Sequence, residues 1–241
     1  MQFYGVSSLD FQKLNKLIHN NIFWNDYEEH TLLNKDCVNI FKISIDSYQA
    51  IKDISKLILT DDELKKEERF IQENDRKRYI TGKVYSKLLV AKMLNKDPAD
   101  VHFEYNRYKK PYINGIHFNI SHSGDCVMLA ISTGVVGIDI EHIDPNLNYD
   151  ELSKQCFSEA EINMITDLDI FYLFWTRKEA LLKATGEGLT DDLPAINCTE
   201  ALVERFGVFY ELKSFKLNEA YVLSTASTKP KSIYQYWYLK H

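Results

Sequence analysis

The sequence predicts a mixed α+β protein made of two similar halves. Three observations lead there. Residues 74–95 and 169–184 each carry apolar side chains at helical spacing. Each is followed by a set of short extended segments, the pattern of helices and antiparallel strands kept in separate runs. VMLAIS at 127–132 echoes YVLSTAS at 221–227 in its place after the helix. These features put a joint near residues 142–151.

In chain order, an aromatic lead-in with a helix from Asp10 to Asn20 precedes a strand at 38–47, where Ile40, Lys42, Ser44 and Asp46 share one face. The first long helix takes Asn74 as N-cap and places Tyr79, Ile80, Val84, Leu88, Ala91 and Leu94 on one side. Extended segments at 102–105, 116–120, 127–132 and 135–141 follow. The second long helix ends at Gly186, a C-cap glycine. Residues 203–217, 221–227 and 232–239 then read as β-hairpins, the last with alternating aromatics.

Composition narrows the function. The 241 residues, 45% hydrophobic and 13% aromatic, can bury a real core and exclude a disordered chain. A net charge of −6 argues against a nucleic-acid partner. The densest apolar run, 127–131, is too short for a membrane span, and MQFYGVSSLD has neither the basic start nor the apolar core of a signal peptide. The expectation is a cytoplasmic protein with no membrane partner. Cys37, Cys126, Cys156 and Cys198 are scattered, without the spacing of a zinc site or a disulfide framework.

Three constellations carry possible chemistry. In GIDIE, 137–141, a strand puts Asp139 and Glu141 on one face with Ile138 and Ile140 behind. Such a pair suits either solvent or a hard cation such as Mg²⁺. In FWTRKEALLKATGEGL, 174–189, Glu179 and Lys183 are neighbours one helical turn apart, with Trp175 a turn before. That arrangement fits a surface ion pair, or a third metal carboxylate beside an ammonium for phosphate. In FNISHSGD, 118–125, His122 stands where a strand gives way to a turn, as a structural histidine or as part of an anion pocket. Basic residues gather along the first helix, Arg78 among them, and continue at Arg107, Lys109 and Lys110.

The order of these three motifs resembles the 4′-phosphopantetheinyl transferase superfamily, in its larger, monomeric Sfp type. Lys110-Pro111 is similar to that family's G-K-P motif, with Lys109 in place of the glycine. The resemblance spans about residues 38–227. It implies two α+β halves related by a pseudo-twofold axis around an active-site cleft: a 1–36 extension, an N-terminal half at 37–135 and a C-terminal half at 136–241. It implies an enzyme that moves the 4′-phosphopantetheine group of coenzyme A to a serine of an apo carrier protein and releases adenosine 3′,5′-bisphosphate. Asp139, Glu141 and Glu179 are then expected to hold Mg²⁺. Lys183 and Lys178 contact phosphate, Ser121 and His122 lie at the 3′-phosphate, Lys110 lies near the nucleotide, and Arg78 addresses a nucleotide phosphate. Glu179 is the expected base, and residues 154–157 are a candidate carrier-docking patch. A Mg²⁺-dependent hydrolase of coenzyme A and a silent carrier-binding protein remain as alternatives.

Overall fold

In the computed structural model, residues 8–19, 22–188, 190–228 and 232–240 are described. The first stretch of the chain forms α1 (Ser8–Leu17), β1 (Ile18–His19), β2 (Asn25–Asp26) and β3 (Val38–Ser44). Helices α2 (Tyr48–Ile58), α3 (Asp61–Glu67) and α4 (Glu73–Leu94) follow. Next come β4 (Glu104–Tyr105), β5 (Pro111–Tyr112), β6 (His117–Ser123), β7 (Cys126–Ser132) and β8 (Val136–His142). The remainder is α5 (Asp150–Cys156), α6 (Glu159–Ile162), α7 (Leu168–Thr185), β9 (Leu202–Arg205), β10 (Val208–Asn218), β11 (Tyr221–Ser227) and β12 (Tyr234–Leu239). The mixed α+β class expected from the sequence is what the chain adopts.

Two five-stranded sheets dominate. One has the order β1-β10-β11-β8, with β9 pairing β10; the other has the order β2-β12-β3-β7-β6. Their facing sides share a core of Val38, Ile40, Met128, Ile138, Ile140, Phe215 and Leu223. Strand alternation turns the opposite sides outward onto helices. Phe41, Val127, Leu129 and Phe118 meet Leu89, Val90 and Met93 of α4. Leu212, Val222 and Ala226 meet Phe174, Leu181 and Ala184 of α7, with Leu14 and Leu17 of α1 in the same cluster. The molecule is thus layered helix, sheet, sheet, helix.

Helix α7 comes unusually close to β8. A Cβ at Gly137 would stand 2.0 Å from the carbonyl oxygen of Ala180 and 2.4 Å from the Ala184 nitrogen. Only glycine on the strand and small residues on the helix allow that approach. Gly137, Ala180 and Ala184 therefore set the height of Glu179 and Lys183 over the β8 carboxylates.

Several expectations need correction. Helix α4 starts one residue before Asn74, with Gln72 in the cap position and no side-chain cap bond. The last segment does not form a hairpin: β12 crosses to the other sheet and runs parallel to β3 and β2. Its side chains are apolar on both faces, with Tyr236 against Phe215 and Trp24, and Trp237 against Tyr27. A strand with two apolar faces belongs inside a sheet and not at a hairpin edge. In the reverse direction, β1 runs parallel to β10. The first strand thus joins the sheet of β10, and β12 joins the sheet of β3. Helices α2, α3, α5 and α6 had no counterpart in the sequence reading.

Gly137→Ala is expected to cost about 1–3 kcal/mol or more, as overpacking does, because backbone and not a side-chain tip stands in the way. The shift of the urea midpoint at unchanged m-value measures it.

Candidate active site

The site lies where β6 and β8, edge strands of the two sheets, run side by side without a backbone ladder. Alternate side chains of β6 replace one. Asn119 Oδ1 accepts from Ile138 N at 2.8 Å, Ser121 Oγ from Ile140 N at 3.3 Å, and Ser123 Oγ from His142 N at 3.0 Å. The Ile138, Ile140 and His142 amides on the open edge of β8 are satisfied in this way.

The same serines hold the acids. Ser121 Oγ donates to Asp139 Oδ1 at 2.8 Å, and Ser123 Oγ donates to Glu141 Oε2 at 2.9 Å. Above them α7 presents Trp175, Glu179 and Lys183 as one stripe at four-residue spacing. Trp175 lies beside Glu141 and lowers its proton affinity. The Lys183 ammonium donates to Asp139 Oδ1 at 2.5 Å and to Ser121 Oγ at 3.0 Å.

Gathering three carboxylates in a half-buried place raises their affinity for protons. Burial is the first cause for Asp139, opposed by Lys183. Burial and then Asp139 raise Glu141, and the same two causes push Glu179 up to about 7. Asp139 Oδ2 is buried and has no hydrogen-bond partner. An orphaned carboxylate oxygen among mutually repelling acids is the donor chemistry a hard cation satisfies. Among the described residues no group of three or more His, Cys, Asp or Glu side chains is close enough to hold a metal ion, and the Lys183 ammonium pairs with Asp139 at 2.5 Å.

The stripe opens into a cavity of about 230 Å³ lined by Glu179, Lys183, Asn119, Lys109 and Lys110. Lys110 donates to Ala184 O at 2.9 Å, and Asn106 donates to Gly186 O at 3.1 Å, so the loop before β5 caps α7 from the other half. Burial lowers Lys110 from 10.5 to about 8. Arg78 reaches Gly124 O in the β6–β7 turn and pairs with Asp75 at 2.5 Å. His122 is exposed next to it; partial desolvation, then Arg78, lower its pKa.

Asp139, Glu141, Glu179, Lys183, Ser121 and Lys110 thus converge, and Arg78 and His122 form a second cluster on the α4 side of β6. Lys178 is brought to neither. It is 1% exposed, pairs with the buried Glu161 at 2.9 Å and donates to Leu193 O and Ile196 O. One residue before Glu179 on a helix means a 100° rotation, which turns this ammonium into the core. The 154–157 patch also fails as an apolar docking surface, since Cys156 and Phe157 are both buried. The sequence reading missed Asn119, Ser123 and Asn106. The alternating polar residues of FNISHS were the available signal. A larger hollow of about 900 Å³, lined by Tyr27, Tyr85, Leu88, Leu89 and Leu239, collects none of the expected site residues. No described helix is long and apolar enough to cross a membrane.

Glu179 and the Lys183 ammonium thus face one cavity at the seam between the two sheets. Comparison with known proteins makes this specific. Residues 135–230 match the model of the 4′-phosphopantetheinyl transferase superfamily, and residues 47–134 match that of the 4′-phosphopantetheinyl transferase N-terminal domain. The chain is 31% identical over 172 residues to the 4′-phosphopantetheinyl transferase HetI of a Nostoc species, covering 66% of this chain and 72% of HetI. It is 29% identical over 180 residues to the 4′-phosphopantetheinyl transferase Sfp of Bacillus subtilis, covering 67% of this chain and 79% of Sfp. The chain belongs to the 4′-phosphopantetheinyl transferase superfamily.

Folding releases a proton from Lys110 between about pH 8 and 10.5, because its pKa in the fold lies below its ordinary value. The unfolded chain binds more protons in that window, so this lysine's contribution to stability grows as pH rises. The stability difference between wild type and Lys110→Met, followed by urea titration from pH 7 to 10.5, is expected to move in favour of wild type; a flat difference refutes the assignment.

Proposed function

We propose that this protein transfers the 4′-phosphopantetheine group of coenzyme A to a serine hydroxyl of an apo carrier protein, releasing adenosine 3′,5′-bisphosphate. The observation that carries the reading is the Glu179–Lys183 pair of α7, which lines the seam cavity while Lys183 bonds Asp139 of β8, in a chain of this superfamily. We also read the two sheet-and-helix units as the pseudo-twofold halves of one monomeric enzyme, sharing that cleft.

In this reaction the seryl oxygen bonds to the phosphorus that carries pantetheine, and the bond from that phosphorus to the bridging diphosphate oxygen breaks. Phosphoryl transfer asks the protein for position and charge more than for covalent chemistry. Glu179, with a proton affinity near neutrality, is the group to accept the seryl proton. Lys183, held by Ser121 and Asp139, offsets charge on the departing bisphosphate. Arg78, His122 and Lys110 serve the nucleotide end. Mg²⁺ would be held by Asp139, Glu141 and Glu179, with Asp139 Oδ2 as the unsatisfied donor, and would supply positive charge to the diphosphate.

The test is to incubate the protein with coenzyme A, Mg²⁺ and an apo acyl or peptidyl carrier, and to weigh the carrier. A gain of one phosphopantetheine is expected. Cleaved coenzyme A with an unmodified carrier points instead to hydrolysis, and binding without either points to a silent form. Asp139→Ala is expected to lower kcat/KM by about 10²-fold or more, the scale of losing one preorganised electrostatic group. Glu179→Gln, of similar shape but unable to take a proton, is expected to lower kcat more than it changes coenzyme A binding; near-normal turnover removes Glu179 from the role of base.

A further inference from the structure

Lys183 sits in the last turn of α7, the part of a helix that frays first and whose carbonyls lack ladder partners. The loop before β5 takes two of those carbonyls, through Lys110 on Ala184 O and Asn106 on Gly186 O. A second hold comes from β9. Glu187 follows the helix cap between Gly186 and Gly188, both at φ 74°, a backbone state that glycine permits but does not itself fix. Its carboxylate accepts from Arg205 Nε at 3.1 Å, from Arg205 Nη2 at 2.9 Å and from Thr185 Oγ1 at 3.0 Å.

The two-pronged contact is the strong geometry between a guanidinium and a carboxylate, and at 16% and 14% exposure little water competes for it. The other acid near Arg205, Asp192, is 3.7 Å away and 60% exposed. The guanidinium lies over the Phe206 ring at 4.5 Å. Phe206 and Gly207, at φ 54° and 77°, form the two-residue turn between β9 and β10, where the first place favours Asn, Asp or Gly. A phenylalanine held in that disfavoured conformation gives the guanidinium a face to rest on. Glu187 thus links β9 to a segment whose Gly186 and Gly188 line the seam cavity beside Glu179 and Lys183.

We propose that Arg205 is a positioning residue for the transfer step: through Glu187 it holds the last turn of α7, and with it the Lys183 ammonium, in place against Asp139. The inference rests on the transferase reading above. Arg205→Met is expected to lower kcat per folded molecule about tenfold, because a small misplacement of a charge-stabilising group is costly, with KM for coenzyme A within about twofold of wild type. Glu187→Gln, of the same shape, should do likewise. The two residues act as a unit, so the double variant should lose no more than either single one. Arg205→Lys keeps the charge but not the fork, and its kcat should fall between wild type and Arg205→Met. A lower melting temperature with kcat per folded molecule unchanged marks a merely structural pair and overturns the proposal, as do additive losses in the double variant or a loss confined to KM. Amide hydrogen exchange over residues 183–186 needs no substrate, and in both single variants it should quicken there and not in α4. If wild type transfers nothing, the transferase reading fails. Quickened exchange confined to 183–186 still supports the hold of Arg205 on α7, and unchanged exchange overturns it.

Discussion

Three hydrogen bonds from β8 amides to β6 side chains hold the seam on which the site is built. Asn119, Ser121 and Ser123 bond the β8 amides that a neighbouring strand would otherwise take. A backbone ladder would consume both edges. A side-chain ladder keeps the strands farther apart and leaves hydroxyls in the gap. Two of those hydroxyls also bond Asp139 and Glu141, so the contact that holds the halves together orients the acids. Each bond contributes about 1 kcal/mol net, but leaving one of the buried amides unpaired costs about 1–3 kcal/mol. The seam is therefore more strongly required than its bond strengths suggest.

Helix α7 is fixed on this seam by a second set of polar contacts. Arg177 is fully buried and donates to Cys198 O at 2.8 Å, Ser214 Oγ at 3.0 Å and Glu200 O at 2.5 Å. Burial lowers its pKa to about 10, so it stays charged at neutral pH. Lys178 ties the same helix to Glu161 and to the carbonyls of 193 and 196. Apolar packing tolerates small slides along a helix axis, whereas directional bonds to buried charges do not. Thus the W-x-x-K-E-A-x-x-K run divides by helix face. Glu179 and Lys183 face the cavity, Ala180 allows the close approach to Gly137, and Lys178 anchors the helix from behind.

How much of this was legible depended on whether a signal was local. The β8 alternation was readable because Asp139 and Glu141 share a face under period-2 geometry whatever lies next to it. The Glu179–Lys183 stripe followed from helical spacing in the same way. The capping boxes at Thr60–Glu63 and Ser158–Glu161 were equally local, yet α3 and α6 went unread, since each helix is too short to show periodicity. Lys178 was beyond reach for another reason: its burial depends on Glu161 and on residues 193–196, which only the folded chain brings beside it. The crossing of β12 was likewise invisible, because alternating aromatics describe a strand but not its neighbour.

That crossing bears on how the protein is made. β12 does not sit at the margin of its sheet but between β2 and β3, and Trp237 donates to Asn39 across 198 positions of sequence. During synthesis β3, β7 and β6 can pair early, while β2 has no strand to join until Tyr234–Leu239 has emerged. The β12-facing edge of β3 stays open through that interval, exposed to wrong partners. A truncation that removes β12 therefore leaves a gap in the middle of a sheet, parting β2 from β3.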